Sequence, residues 1–189
     1  MIIVILFGSP GSGKGTQSKK LVENHNLTHI SIGDLLRHNM SVGTDLGKKV
    51  LPYINGGDLV PNEFLIEIVE NTLKSNIFKG IVLDGFPRNH DQKRLLTKMM
   101  QLNNTSISTV IHLVVPEEEA LRRIKERAKL GNRMDDMDDK KIFKRMRIYE
   151  KETLPLIKSF KNGEKFYTVD GMRDINVIAE HIKSIIEKL

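Results

Sequence analysis

The 189-residue chain contains no cysteine and no tryptophan, and only 5% of its residues are aromatic. The missing thiols exclude disulfides and thiolate zinc sites, and they fit a reducing, cytoplasmic setting. So few aromatic rings leave sparse stacking platforms for bases, which makes nucleic acid the weaker candidate partner despite a formal charge of +6. Long hydrophobic runs are missing too. The initial one, Ile2 to Phe7, is about six residues long, with no basic stretch before it and no small-residue cleavage site after it. It reads as a strand, and no targeting segment or membrane span is expected. No repeat or low-complexity stretch interrupts the chain, so one main compact domain is expected. Its 30 Lys and Arg against 24 Asp and Glu favour polyanionic ligands.

What the sequence does have is a phosphate cradle. Gly8-Ser9-Pro10-Gly11-Ser12-Gly13-Lys14-Gly15-Thr16 follows directly on the first apolar run. Glycines let successive backbone N–H groups turn inward, and the helix that follows adds the positive end of its dipole. Lys14 is placed to reach the β- and γ-phosphates of a nucleotide. The residue after Lys14 is Gly15, with Thr16 one place later. The hydroxyl that ordinarily ligates Mg²⁺ is therefore displaced, which argues against a GTPase switch or a motor ATPase.

Short apolar runs then alternate with longer stretches of helical period, the pattern of a parallel α/β sheet wrapped by crossover helices in three layers. Five strands are expected, at 2–7, 28–31, 80–84, 109–115 and 165–170. Helices are expected at 14–24, 33–41, 44–55, 61–75, 89–102, 117–129, 138–161 with a bend at Pro155, and 174–188. Two stretches break the alternation: 31–60, with two or three short helices, and a polar loop at about 127–137. Insertions of this kind sit at the carboxyl ends of strands, where open α/β sheets bind ligands. His112, inside the fourth strand, reads as a packed histidine. The third strand ends in Asp84-Gly85-Phe86-Pro87-Arg88. A carboxylate there, beside the cradle, can order water around Mg²⁺, and Arg88 can take a phosphate bidentately.

Together the cradle with Gln17, Gly33-Asp34-Leu35-Leu36-Arg37, Asp58-Leu59-Val60-Pro61 and Asp84-Gly85-Phe86-Pro87-Arg88 resemble the adenylate kinases. So do Arg133-Met134-Asp135-Asp136, Arg145, Tyr149 and Val169-Asp170-Gly171. The likeness spans essentially the whole chain, and the compact 127–137 segment is similar to the short-lid members. It implies a P-loop nucleoside monophosphate kinase fold, with 31–60 as an acceptor flap and 127–137 as a lid. It also implies phosphoryl transfer from MgATP to AMP giving two ADP, in a cytoplasmic monomer without structural zinc.

By the same likeness, Gly11, Ser12, Gly13, Lys14, Gly15 and Thr16 hold the donor phosphates. Arg123 lies against the donor adenine, with the backbone near Arg173 at its edge. Ile32, Arg37, Asp58, Leu59, Val60, Gly85, Phe86, Pro87, Arg88 and Gln92 bind AMP, and Asp84 serves Mg²⁺ through water. Arg127, Arg133 and Arg145 close over the transferring group. Arg133 and Arg145 stand twelve apart, where family members place the pair eleven apart, so Lys144 competes with Arg145 for the lid-helix role. Asp135 and Asp136, like Asp138 and Asp139, either pin the lid or start a helix. Gln92 favours AMP as acceptor. Ile32, where adenylate kinases carry Thr or Ser, and Asn89 keep a UMP/CMP kinase open as the alternative. A nucleotide-dependent binding module that phosphorylates nothing is the reading from another class.

Overall fold

Alternation within the first strand decides the layering. Ile3, Ile5 and Phe7 belong to one apolar cluster and Val4 and Leu6 to another, because successive side chains leave a strand on opposite faces. The computed structural model describes residues 2–25, 27–74, 80–130, 134–161 and 165–189. Among them β1 (Ile2–Phe7), β2 (Thr28–Ser31), β3 (Gly80–Asp84), β4 (Thr109–Val114) and β5 (Phe166–Asp170) form one sheet in the order β2-β3-β1-β4-β5. Every pairing is parallel. A parallel sheet needs cover on both faces, and the helices provide it.

On one face α1 (Lys14–His25) and α9 (Ile175–Ile186) bring Leu21, Ile178, Ile182 and Ile185 onto Val4 and Leu6. On the other, α4 (Asn62–Lys74), α5 (His90–Leu102) and α8 (Leu154–Phe160) bring Leu65, Leu96, Met99 and Phe160 onto Ile3, Ile5 and Phe7. Ile3, Val4 and Ile5 retain no exposed surface, and burying each contributes about 1.5–3 kcal/mol. No helix among the described residues is long and apolar enough to cross a membrane.

The 31–60 insertion contains two helices, α2 (Ile32–Ser41) and α3 (Asp45–Gly56). The second stops at Gly57, whose φ of +71° is the left-handed cap that glycine adopts without strain. Of the expected polar loop at 127–137, the first part is helical, since α6 runs Glu117–Lys129. Met134–Asp136 make one 3₁₀ turn, and Gly131, Asn132 and Arg133 lie outside the described residues.

The expected helix 138–161 is three pieces. These are α7 (Asp139–Ile148), a π turn over Tyr149–Thr153, and α8. Pro155 has no N–H to give the carbonyl four residues back. Just ahead of it the Leu154 N–H reaches back five residues, to Tyr149. The irregularity thus lies in the turn before the proline.

Candidate active site

The carboxyl ends of the strands open into a cavity of about 620 Å³. Its floor is the glycine-rich loop. Gly11 holds a φ of +82°, and a Cβ there would stand 2.2 Å from the Ala120 carbonyl in α6, so only glycine lets loop and helix close up. Lys14 Nζ donates to the carbonyls of Gly8 at 2.7 Å and Ser9 at 2.9 Å. Burial lowers its pKa to about 8; the Asp84 charge opposes this, while Arg88, Arg145 and Arg127 add to it. Residues 11–16 all border the cavity.

Asp84 ends β3 opposite the lysine and is hydrogen-bonded to His29 Nε2 at 3.3 Å. Burial alone would push its carboxyl up, but the His29 hydrogen bond and the charge of Lys14 outweigh that, and the group stays below the ordinary carboxylate range. An ionised carboxylate therefore sits beside a cation at the mouth of the cradle.

Arg88 is clamped on several sides. Its backbone N–H donates to Gln92 Oε1 at 2.7 Å, its Nε donates to the Gly85 carbonyl at 2.8 Å, and its own carbonyl accepts from Thr153 Oγ1 at 2.9 Å. Asn89 caps α5 by accepting from the Gln92 N–H. The Gln92 carbonyl thus uses one of its two lone pairs on the backbone of Arg88. Around Gln92 the cavity wall is apolar, with Ile32, Leu36, Val60 and Leu65 all buried.

Across the cavity two carboxylates gather arginines from three elements. Arg127 Nε reaches Asp136 Oδ2 at 2.6 Å, and Arg145 Nη1 reaches Asp136 Oδ1 at 2.8 Å and Asp135 Oδ2 at 2.9 Å. Arg37 Nη1 lies 4.0 Å from Asp135. Burial raises the Asp136 carboxyl, but its hydrogen bonds from Arg127 and Arg145 prevail and hold it below the usual range. The role of these acids is therefore to pair with arginines, and the helix start belongs to Asp138, which caps α7. Arg145, not Lys144, faces the cavity; Lys144 Nζ instead meets Asp58 at 2.6 Å, just beyond α3. Arg127 Nη2 is buried and has no hydrogen-bond partner among the described residues.

At the other end of the cradle Arg123 Nη2 donates to the Gly171 carbonyl at 2.9 Å and Nη1 to the Ser12 carbonyl at 3.4 Å, while Glu119 holds its Nε at 2.6 Å.

The side chains of two expected site residues lie elsewhere, and for Arg173 the expected contact is one of nearby backbone. Phe86 is 1% exposed and belongs to the core, because the chain turns at Gly85 (φ +78°). The Arg173 side chain is largely exposed, lies near Asp170, and does not border the cavity. Arg133 falls outside the described residues. His29, Tyr149 and Thr153 carry contacts that no local pattern announced.

His112 Nε2 hydrogen-bonds Tyr149 Oη at 2.9 Å. Burial, reinforced by the charges of Lys14 and Lys161, lowers His112 from 6.5 to about 4. The unfolded chain therefore takes up this proton first. The associated stability is present above pH 6.5 and drains away as the pH falls toward about 4. Thermal melts across that window are expected to show a flatter acid decline for His112→Gln than for the unmodified protein. Superimposable pH profiles would rule this out.

Phosphoryl transfer between two nucleotides asks for little covalent chemistry and much alignment and charge neutralisation. A glycine-rich cradle facing a second set of arginines across one cavity meets that demand, so the protein is a nucleotide phosphotransferase of the parallel α/β kind. A profile of the adenylate kinase family matches residues 6–165. The chain aligns over its whole length, and theirs, with adenylate kinases of Phocaeicola vulgatus and Flavobacterium johnsoniae, 40% identical to each. With the adenylate kinase of Methanosarcina barkeri it is 37% identical over 98% of each chain. The chain belongs to the adenylate kinase family.

Proposed function

We propose that the cavity holds ATP and AMP end to end and moves one phosphoryl group between them, reversibly, to give two ADP. The convergence of Arg37, Arg127 and Arg145 on Asp135 and Asp136, where donor and acceptor sides meet, carries this reading. Arginines held there by carboxylates can exchange them for phosphate oxygens, and among the described residues Arg127 Nη2 has no hydrogen-bond partner. Lys14 follows the transferring group from the donor side. Arg88 and Arg37 grip the acceptor phosphate, and Arg123 lies against the donor base. No side chain acts as nucleophile. We read 31–60 and 127–137 as the flap and lid that exclude water, with Arg133 part of the lid.

The residues fit Mg²⁺. Asp84 is a buried, ionised carboxylate at the mouth of the cradle, close enough that a Cβ on Gly15 would stand 4.0 Å from its Oδ2. Asp84 would hold the ion through water. Bound there with ATP, the ion neutralises charge on the phosphates. The absence of cysteine supports a cytoplasmic enzyme whose lid needs no zinc. One chain supplies both sides of the cavity, which supports a monomer as the working unit.

With ATP as donor, AMP is expected to outperform UMP, CMP and GMP, since the Gln92 amide can satisfy a donor–acceptor pair on adenine that a pyrimidine presents at a different distance. Mispairing a buried amide costs about 1–3 kcal/mol, or roughly tenfold to a hundredfold in kcat/KM. Ile32→Thr, which returns a hydroxyl to the apolar wall, is expected to improve AMP selectively. Rates against the four monophosphates check both statements. UMP or CMP ahead of AMP in the unmodified enzyme would overturn the acceptor assignment.

A further inference from the structure

The π turn at Tyr149–Thr153 does more than precede a proline. An α-helix turns by about 100° per residue, so an unbroken helix would leave Thr153 about 80° away from Arg145. The wider π turn winds more slowly, and Arg145, Tyr149 and Thr153 all border the cavity. Two hydrogen bonds fasten the turn to opposite sides of the sheet. At its start Tyr149 Oη meets His112 Nε2 on β4, and at its end Thr153 Oγ1 donates to the carbonyl of Arg88, just beyond β3, each at 2.9 Å. Thr153 is buried, so this bond is shielded from water. Gln92 holds the N–H of Arg88, and Thr153 holds the carbonyl of the same residue.

We propose that Thr153 is a positioning residue for the acceptor phosphate: brought to the cavity by the π turn, its hydroxyl fixes the Arg88 backbone and so sets where the Arg88 guanidinium stands relative to Arg145. This rests on the reading that Arg88 grips the acceptor phosphate. Misplacing a substrate-holding group by a fraction of an ångström weakens alignment without touching the donor side.

Steady-state kinetics with AMP and ATP varied separately test it. Thr153→Val keeps the shape and removes the donor, and is expected to raise the KM for AMP by about five- to tenfold while the KM for ATP changes less than about twofold. Thr153→Ser is expected to bring the AMP value back to within about twofold of the unmodified enzyme. An unchanged AMP KM in Thr153→Val, equal rises in both KM values, or a serine variant no better than the valine one overturns the proposal. Should Thr153→Val fail to fold, Thr153→Ala is judged by the same criteria. Arg88→Ala separates the two levels. A normal AMP KM in that variant contradicts the assignment of Arg88, whereas a raised one beside a normal value in Thr153→Val counts against Thr153 alone.

Discussion

Lys14→Met is expected to lower kcat by roughly two orders of magnitude or more while the fold stays intact. Methionine matches the length of the side chain and removes the one charge that the cradle can carry toward the transferring group. The carbonyls of Gly8 and Ser9 lose their lysine donor, but both residues border or adjoin the open cavity, where water can replace it, so the melting temperature should move little. The same group gives a pH signature. Because burial lowers Lys14 to about 8, the free enzyme loses this charge as the pH rises through that value, and kcat/KM for ATP should fall with it. The alkaline decline should vanish in Lys14→Met. Near-normal turnover in the purified variant would remove Lys14 from the mechanism.

Arg88→Ala is the second large effect, and it is expected to strike every acceptor alike. Its guanidinium is oriented by the Gly85 carbonyl and its backbone by Gln92, so a planar, charge-assisted grip on phosphate is ready before the ligand arrives. Losing it should reduce kcat/KM by roughly a hundredfold or more for AMP and for any slower monophosphate, in equal proportion. Acceptor competition assays check this. A change in the ratio between bases would assign Arg88 to base recognition and contradict the phosphate role.

The parts of the site legible in the sequence are those made by neighbouring residues. A strand, a turn and a helix in succession define the cradle, and the apolar run 80–84 ending in Asp84 places an acid beside it. Contacts between distant residues were not legible. His29 and Asp84 are 55 residues apart, and Thr153 and Arg88 are 65 apart. Phe86 shows the opposite failure. It sits among site residues in the chain, yet the turn at Gly85 sends its ring into the core. The π turn escaped because the apolar residues of 138–161 satisfy a helical period whether or not one turn is widened. The acids of 135–139 were ambiguous because a carboxylate can cap a helix or hold an arginine with the same local spelling. Only the fold decides that Asp138 does the first and Asp136 the second.

On the proposed reading, the strand order β2-β3-β1-β4-β5 sets the acceptor base and the donor base on opposite sides of β1. Both strands on one side of β1 come from the first half of the chain, and with α2 to α5 they carry Ile32, Arg37, Arg88 and Gln92. The strands on the other side come from its second half, where Arg123 donates both to the Ser12 carbonyl of the first loop and to the Gly171 carbonyl. On the proposed reading, the residues that meet the acceptor base, Ile32 to Gln92, therefore fall in one uninterrupted stretch between α1 and β4, while Arg145 and Thr153 reach the acceptor phosphate from beyond β4. Asp84, the acid proposed to serve the metal, lies inside that stretch. A fold wired this way can change which base it accepts by substitutions within a single segment, provided that Asp84 is kept.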